Sequence, residues 1–177
     1  MRIVMRNLCL CLFFLAAVST GSALAACSGE AVVKAAAASF TTARSIGTAD
    51  AFADAVAKHT DITTLALSAL GQYRKELKPD RQAEYIAKTK AYIGRFLLRY
   101  ADRIAQANLV IDSCAGDLVK TSAGTSKLVW RVRDGKIRDV QASGIWLANQ
   151  MRTKFVGVIK AGGHEKINAL FRFLGNG

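Results

Sequence analysis

The chain has one proline, Pro79, and two histidines, His59 and His164, in 177 residues. Neither histidine sits in a nucleophile or metal motif, and no G-x-S-x-G, H-E-x-x-H, P-loop or G-x-G-x-x-G occurs. The sequence signatures of serine hydrolases, zinc peptidases and nucleotide-binding folds are therefore missing. The cysteines, Cys9, Cys11, Cys27 and Cys114, do not have zinc-ligand spacing. No block of about five to eight consecutive basic residues appears, which argues against a nucleic-acid footprint. Acidic residues number 13 and are scattered. Asp80 is explained by a helix start and Asp134 by a turn, which leaves Asp139, on an expected strand, as the candidate acid. These absences point away from an enzyme and call for no cofactor or metal.

What is present is apolar surface and positive charge. The chain is 51% hydrophobic with a mean hydropathy of +0.19, enough to bury a core and to exclude disorder. Arg2 and Arg6 precede an unbroken apolar run from Leu8 to Val18, far short of the ~20 residues that cross a bilayer as a helix. Residues 1–25 read as a secretory signal peptide ending in Ala23-Leu24-Ala25, with 26–177 as a single exported domain in the periplasm. Leu24-Ala25-Ala26-Cys27 also reads as a lipobox, in which Cys27 would be acylated and anchor a lipoprotein. Alternatively Cys27 pairs with Cys114, the other cysteine left after export, as two thiols in an oxidising compartment can. Net charge is +12, and losing Arg2 and Arg6 leaves +10, which favours anionic partners such as lipid headgroups.

Periodicity orders the exported part as helices, then strands, then helices: an α+β fold. A first helix, Ser28 to Ile46, shows Val32, Val33, Ala36, Phe40 and Ala43 on one face. A second follows Thr48-Ala49-Asp50 with Phe52, Val56 and His59 inward, and Asp61 caps a short third carrying Ile62, Leu65 and Leu70. Pro79 opens a long helix expected to reach Ile104, striped with Tyr85, Thr89, Tyr92, Ile93, Phe96, Leu97 and Tyr100. After Asn108 the period changes to alternation. Leu109–Ser113, Leu118–Thr121, Lys127–Arg133 and Lys136–Gln141 read as about four antiparallel strands. Asp134-Gly135 forms a type I′ turn, and Leu128, Trp130 and Val132 face a core while Val129, Arg131 and Arg133 face water. Two helices close the chain: one carries Ile145, Leu147, Met151, Phe155, Val158 and Ile159, the other runs from His164 to Leu174.

Two stretches resemble a known family. Leu67-Ser68-Ala69-Leu70-Gly71-Gln72-Tyr73-Arg74 with Pro79 and Arg81-Gln82-Ala83-Glu84-Tyr85 is similar to the central segment of the MlaC, or toluene-tolerance, periplasmic phospholipid shuttles. Val129-Trp130-Arg131-Val132, Ile137-Arg138-Asp139-Val140, Gly144-Ile145-Trp146-Leu147, Met151-Arg152 and Phe155 resemble its C-terminal half. The likeness implies a curved antiparallel sheet wrapped by helices, a nuclear-transport-factor-like cone around an apolar cavity. It implies a carrier that holds phospholipid acyl chains and moves them between an outer-membrane lipoprotein complex and an inner-membrane ABC transporter, with transient membrane contact. Expected lipid-lining residues are Leu70, Tyr73, Tyr92, Phe96, Trp130, Val140, Ile145, Leu147, Met151 and Phe155. Competing readings are a hopanoid-pathway relative, a basic exported module on anionic membrane or cell wall, and a small hydrolase or isomerase on the same cone using Asp139 or a histidine.

Overall fold

The computed structural model describes residues 27–101 and 109–176. The expected signal peptide lies outside the described residues, and the long helix, expected to reach Ile104, ends at Arg99, where Tyr100 leaves helical geometry. Helix α1 (Ser28–Ile46) stops at Gly47, whose N–H bonds the carbonyl of Ala43. The Thr48 hydroxyl accepts from Ala51 N at 3.3 Å and opens α2 (Ala49–His59). Asp61 Oδ1 accepts from Thr64 N at 3.0 Å and opens α3 (Ile62–Ala69). Each cap satisfies an amide that the first turn leaves without an intrahelical acceptor. A 3₁₀ turn at Pro79–Arg81 leads into α4 (Gln82–Arg99). The long helix thus begins in 3₁₀ geometry before it becomes α, a common form for a helix entry.

Five strands follow: β1 (Leu109–Ala115), β2 (Leu118–Ala123), β3 (Ser126–Arg133), β4 (Lys136–Ala142) and β5 (Ile145–Trp146). They form one antiparallel meander in the order β1-β2-β3-β4-β5. The fifth strand departs from the expected four, because two residues are too few for alternation to reveal. Asp134 (φ +53°) and Gly135 (φ +69°) both lie in the left-handed region, which a type I′ turn requires and which this pair tolerates. Register shifts at Ile111/Ser113 and Arg131/Val132 add local twist and bend the sheet. Helices α5 (Leu147–Ala161) and α6 (Lys166–Asn176) complete the chain.

Packing divides these elements into two main apolar cores. In the sheet core, α1 lies across one face of the sheet, with Val33 and Ala36 against Val119, Trp130, Val132 and Ile137. A disulfide between Cys27 and Cys114, Cα atoms 6.1 Å apart, ties the start of α1 to β1. The helical core joins Val56 of α2, Leu65 of α3, Tyr85 and Ile93 of α4, Met151, Phe155 and Ile159 of α5, and Leu170, Phe171 and Leu174 of α6. A small satellite of Ala43, Phe52 and Ala55 sits between α1 and α2. Gly94 sets how closely α4 approaches α2. A Cβ there would stand 2.8 Å from Ala53 Cβ and press on the carbonyl of Ala49.

Candidate functional site

Each expected lining residue belongs to one core or the other, or to the rim. Leu70, Met151 and Phe155 are buried in the helical core, and Tyr73, Tyr92 and Leu147 pack against it half-buried. The Tyr92 ring meets Phe155 edge-on at 5.6 Å and Phe173 at 5.4 Å, the offset geometries that ring quadrupoles favour. Trp130 and Val140 belong to the sheet core, and Trp130 Nε1 donates to Thr121 Oγ1 at 2.9 Å, which satisfies a buried indole. Phe96 is half-buried and stacks on Tyr100 at 4.8 Å. Ile145 stands 57% exposed.

Phe40 is the residue that joins these groups. Its half-buried ring packs against the helical core, the sheet core and the α1–α2 satellite. It is legible in the sequence as the one aromatic in an alanine-rich helix. Periodicity places it on the apolar face of α1, and gives no sign that three clusters converge there. Phe173, which touches both Tyr92 and Phe155, falls off the apolar stripe of α6 and has no comparable sequence signal.

The two cores are also joined by polar contacts concentrated at one end of β4. Asp61 N donates to Ile137 O at 3.0 Å, Arg138 pairs with Asp61 and, at 2.8 Å, with Asp134, and Lys136 Nζ donates to Lys58 O at 2.6 Å. The Thr64 amide, followed by the Thr64 hydroxyl and Arg138, holds the Asp61 carboxyl below its ordinary value against the opposing effect of burial. Asp139, the candidate acid, has a structural use. Its Oδ1 accepts from Val140 N at 2.9 Å and from Ala148 N at 3.1 Å, in the first turn of α5. Burial raises its pKa, opposed by those two amides and by Arg131. His59 bonds Ser39 Oγ through Nε2 at 2.8 Å, and burial with Lys58 and Lys136 nearby lowers its pKa. His164 is exposed in the turn before α6. Among the described residues no group of three or more His, Cys, Asp and Glu side chains could hold a metal ion.

The centre of the helical core is closed. Leu70, Tyr85, Phe155, Leu170 and Leu174 have 0% of their surface accessible, so no water-sized void borders them. Two surface cavities lie elsewhere. One of about 680 Å³ is open and mixed in charge, lined by Thr64, Asp117, Leu118, Arg131, Arg133, Asp134 and Arg138. The other, about 330 Å³, is a groove between α1 and α2. Neither is lined by the expected lipid-contacting residues.

The sequence model of a family described as MlaC protein matches residues 31–174. Among solved structures, a phospholipid-binding protein from Ralstonia solanacearum, solved in complex with a phospholipid, superposes with a TM-score of 0.67. The superposition covers 84% of this chain and 93% of that one at 18% identity, a likeness of fold. No curated protein matches this chain.

Proposed function

Because this chain belongs to the MlaC family, we propose that it is an exported periplasmic carrier that shields the acyl chains of a phospholipid between its helical and sheet cores. The observation that carries this reading is the meeting of the two apolar cores at Phe40, in a chain that matches the family over residues 31–174. A tail of ~16 carbons loses on the order of 10 kcal/mol on crossing water bare, at about 0.8 kcal/mol per methylene. Moving it from a bilayer into an apolar protein interior exchanges one apolar setting for another and is close to thermoneutral. Direction then has to come from partners, an outer-membrane lipoprotein complex and an inner-membrane ABC transporter.

Loading separates the cores at the end of the sheet remote from the Asp61–Arg138 and Asp61–Ile137 contacts, which hold the helices against β4. The lining is Leu70, Tyr73, Tyr92, Phe96, Trp130, Val140, Leu147, Met151 and Phe155, with Phe40 added, and Ile145, exposed at the turn into β5, stands outside it. No covalent step is involved. The disulfide at Cys27 supports a free carrier over an anchored one, since a sulfur in a disulfide cannot carry a lipid thioether.

Native mass spectrometry of protein purified without detergent tests the proposal. A mass increment of one or more phospholipids is expected, and protein that stays bare after incubation with phospholipid vesicles overturns it.

A further inference from the structure

Large exposed hydrophobic side chains among the described residues include Val110 at 55% and Ile145 at 57%, and these two share one end of the sheet. Antiparallel pairing places the start of β1, the β2–β3 hairpin and the β4–β5 turn side by side at that end. The register runs Val110, Ser122, Lys127 on one face and Ile111, Thr121, Leu128, Ala142, Ile145 on the other. Ser143 (φ +50°) and Gly144 (φ +80°) make a tight turn that presents Ile145 to solvent.

Charge is segregated along the strands. Residues 109–111, 121–128 and 142–145 contain a single ionisable side chain, Lys127, and they are bordered by Asp112, which accepts from Ser122 Oγ at 2.6 Å, and by Lys120, opposite Val129. The opposite end carries Asp117, Arg131, Arg133, Asp134, Lys136, Arg138 and Asp139. The chain as a whole has 25 basic against 13 acidic side chains. That surplus draws it toward an anionic lipid surface from a distance without choosing an orientation. Orientation is set by the end that can enter the headgroup layer at least desolvation cost, which is the end that carries few charges and exposes Val110 and Ile145.

We propose that this end of the sheet is the surface that rests on a phospholipid bilayer, with Val110 and Ile145 entering the headgroup–acyl boundary and Lys127 meeting anionic headgroups. The inference deepens the carrier reading and rests on it for its purpose, since a carrier must reach the membrane from which lipid leaves. A protein partner or second copy fits less well. Two side chains and a hairpin tip offer little shape for a protein face to complement, whereas a bilayer needs no matching shape.

The test uses protein exported from the full chain and vesicles of phosphatidylethanolamine with a minor share of phosphatidylglycerol. Val110→Asp should lower co-flotation with vesicles about tenfold, the loss that follows from ~1.4 kcal/mol of apolar contact. Lys127→Glu should lower it less, and its deficit should shrink as salt rises. Ile46→Asp, an equal loss of exposed apolar surface on α1, should float like the parent. Lipid content by mass spectrometry should match the parent in all three. The inference is overturned if Val110→Asp floats like the parent, if Ile46→Asp is impaired equally, or if Val110→Asp acts by dissociating a dimer seen in sedimentation. Parent protein that floats yet carries no lipid would sink the carrier reading and leave the docking surface standing.

Discussion

Asp139 reaches from β4 to the backbone amide of Ala148, nine residues on, at 3.1 Å, so a strand carboxylate caps the helix that follows β5. The contact converts the sequence's candidate acid into an architectural residue. Asp139→Ala should destabilise the fold by about 1–2 kcal/mol, as the loss of a helix cap and of a buried acceptor does. Asp139→Asn should retain lipid. Because the folded-state pKa of Asp139 is raised, its ionisation opposes folding as pH climbs above the ordinary value of 3.8. Denaturant titration of the parent and the Asn variant, with lipid content measured in parallel, checks both statements; loss of lipid from a well-folded Asn variant contradicts the capping role.

His59 gives a pH dependence of opposite sense. Its pKa is lowered from 6.5 by burial and by Lys58 and Lys136, so the folded state prefers the neutral ring. Its contribution is complete above 6.5 and is lost as pH falls through the lower folded-state pKa. Unfolding free energy measured on either side of that window should fall on acidification in the parent and stay flatter in His59→Gln.

Phe155 and Phe96 distinguish the fully buried part of the lining from its half-buried part. Phe155 is 0% exposed, and Phe155→Ala should cost ~3–5 kcal/mol of stability. Phe96 is half-buried against Tyr100, and Phe96→Ala should reduce phospholipid retention by a larger factor than it reduces stability. Equal loss of both quantities in the Phe96 variant would make it ordinary core.

Gly94→Ala should destabilise by about 1–3 kcal/mol, because the added methyl meets Ala53 Cβ and the Ala49 carbonyl and forces α2 and α4 apart. Thermal unfolding reads the effect. A variant as stable as the parent would show that the helices shift without cost.

Cys114→Ser opens a loop whose ends are 87 residues apart. The chain-entropy model assigns such a loop about 4.6 kcal/mol. A reductant should destabilise the parent to the level of the Ser variant and leave the variant itself unchanged, as followed by denaturant unfolding.

The helices were legible wherever a local signal existed. Thr48, Asp61 and Pro79 mark helix starts by chemistry that acts within one turn, and Asp134-Gly135 marks a hairpin through tolerated φ values. The alternation of Leu128, Trp130 and Val132 named the buried face of β3 correctly, since the strand period is independent of what packs on it. Strand β5 was not legible, because Ile145 and Trp146 fit a helical stripe equally well and only pairing with Ala142 and Gln141 makes them a strand. The lining set was legible as apolar residues only. Periodicity could not tell that Tyr92 and Trp130 belong to different cores, or that Ile145 projects into solvent.

Composition, caps and periods by themselves determined the class of fold, the order of elements and the inward face of each, because these follow from interactions within a few residues along the chain. Tertiary structure alone decided that Asp139 caps Ala148, that the apolar stripes sort into two cores meeting at Phe40, and that among the described residues more of the sheet's charges gather at one end than at the other. Those are relations between residues far apart in sequence, fixed by strand register and helix crossing, and no local pattern encodes them.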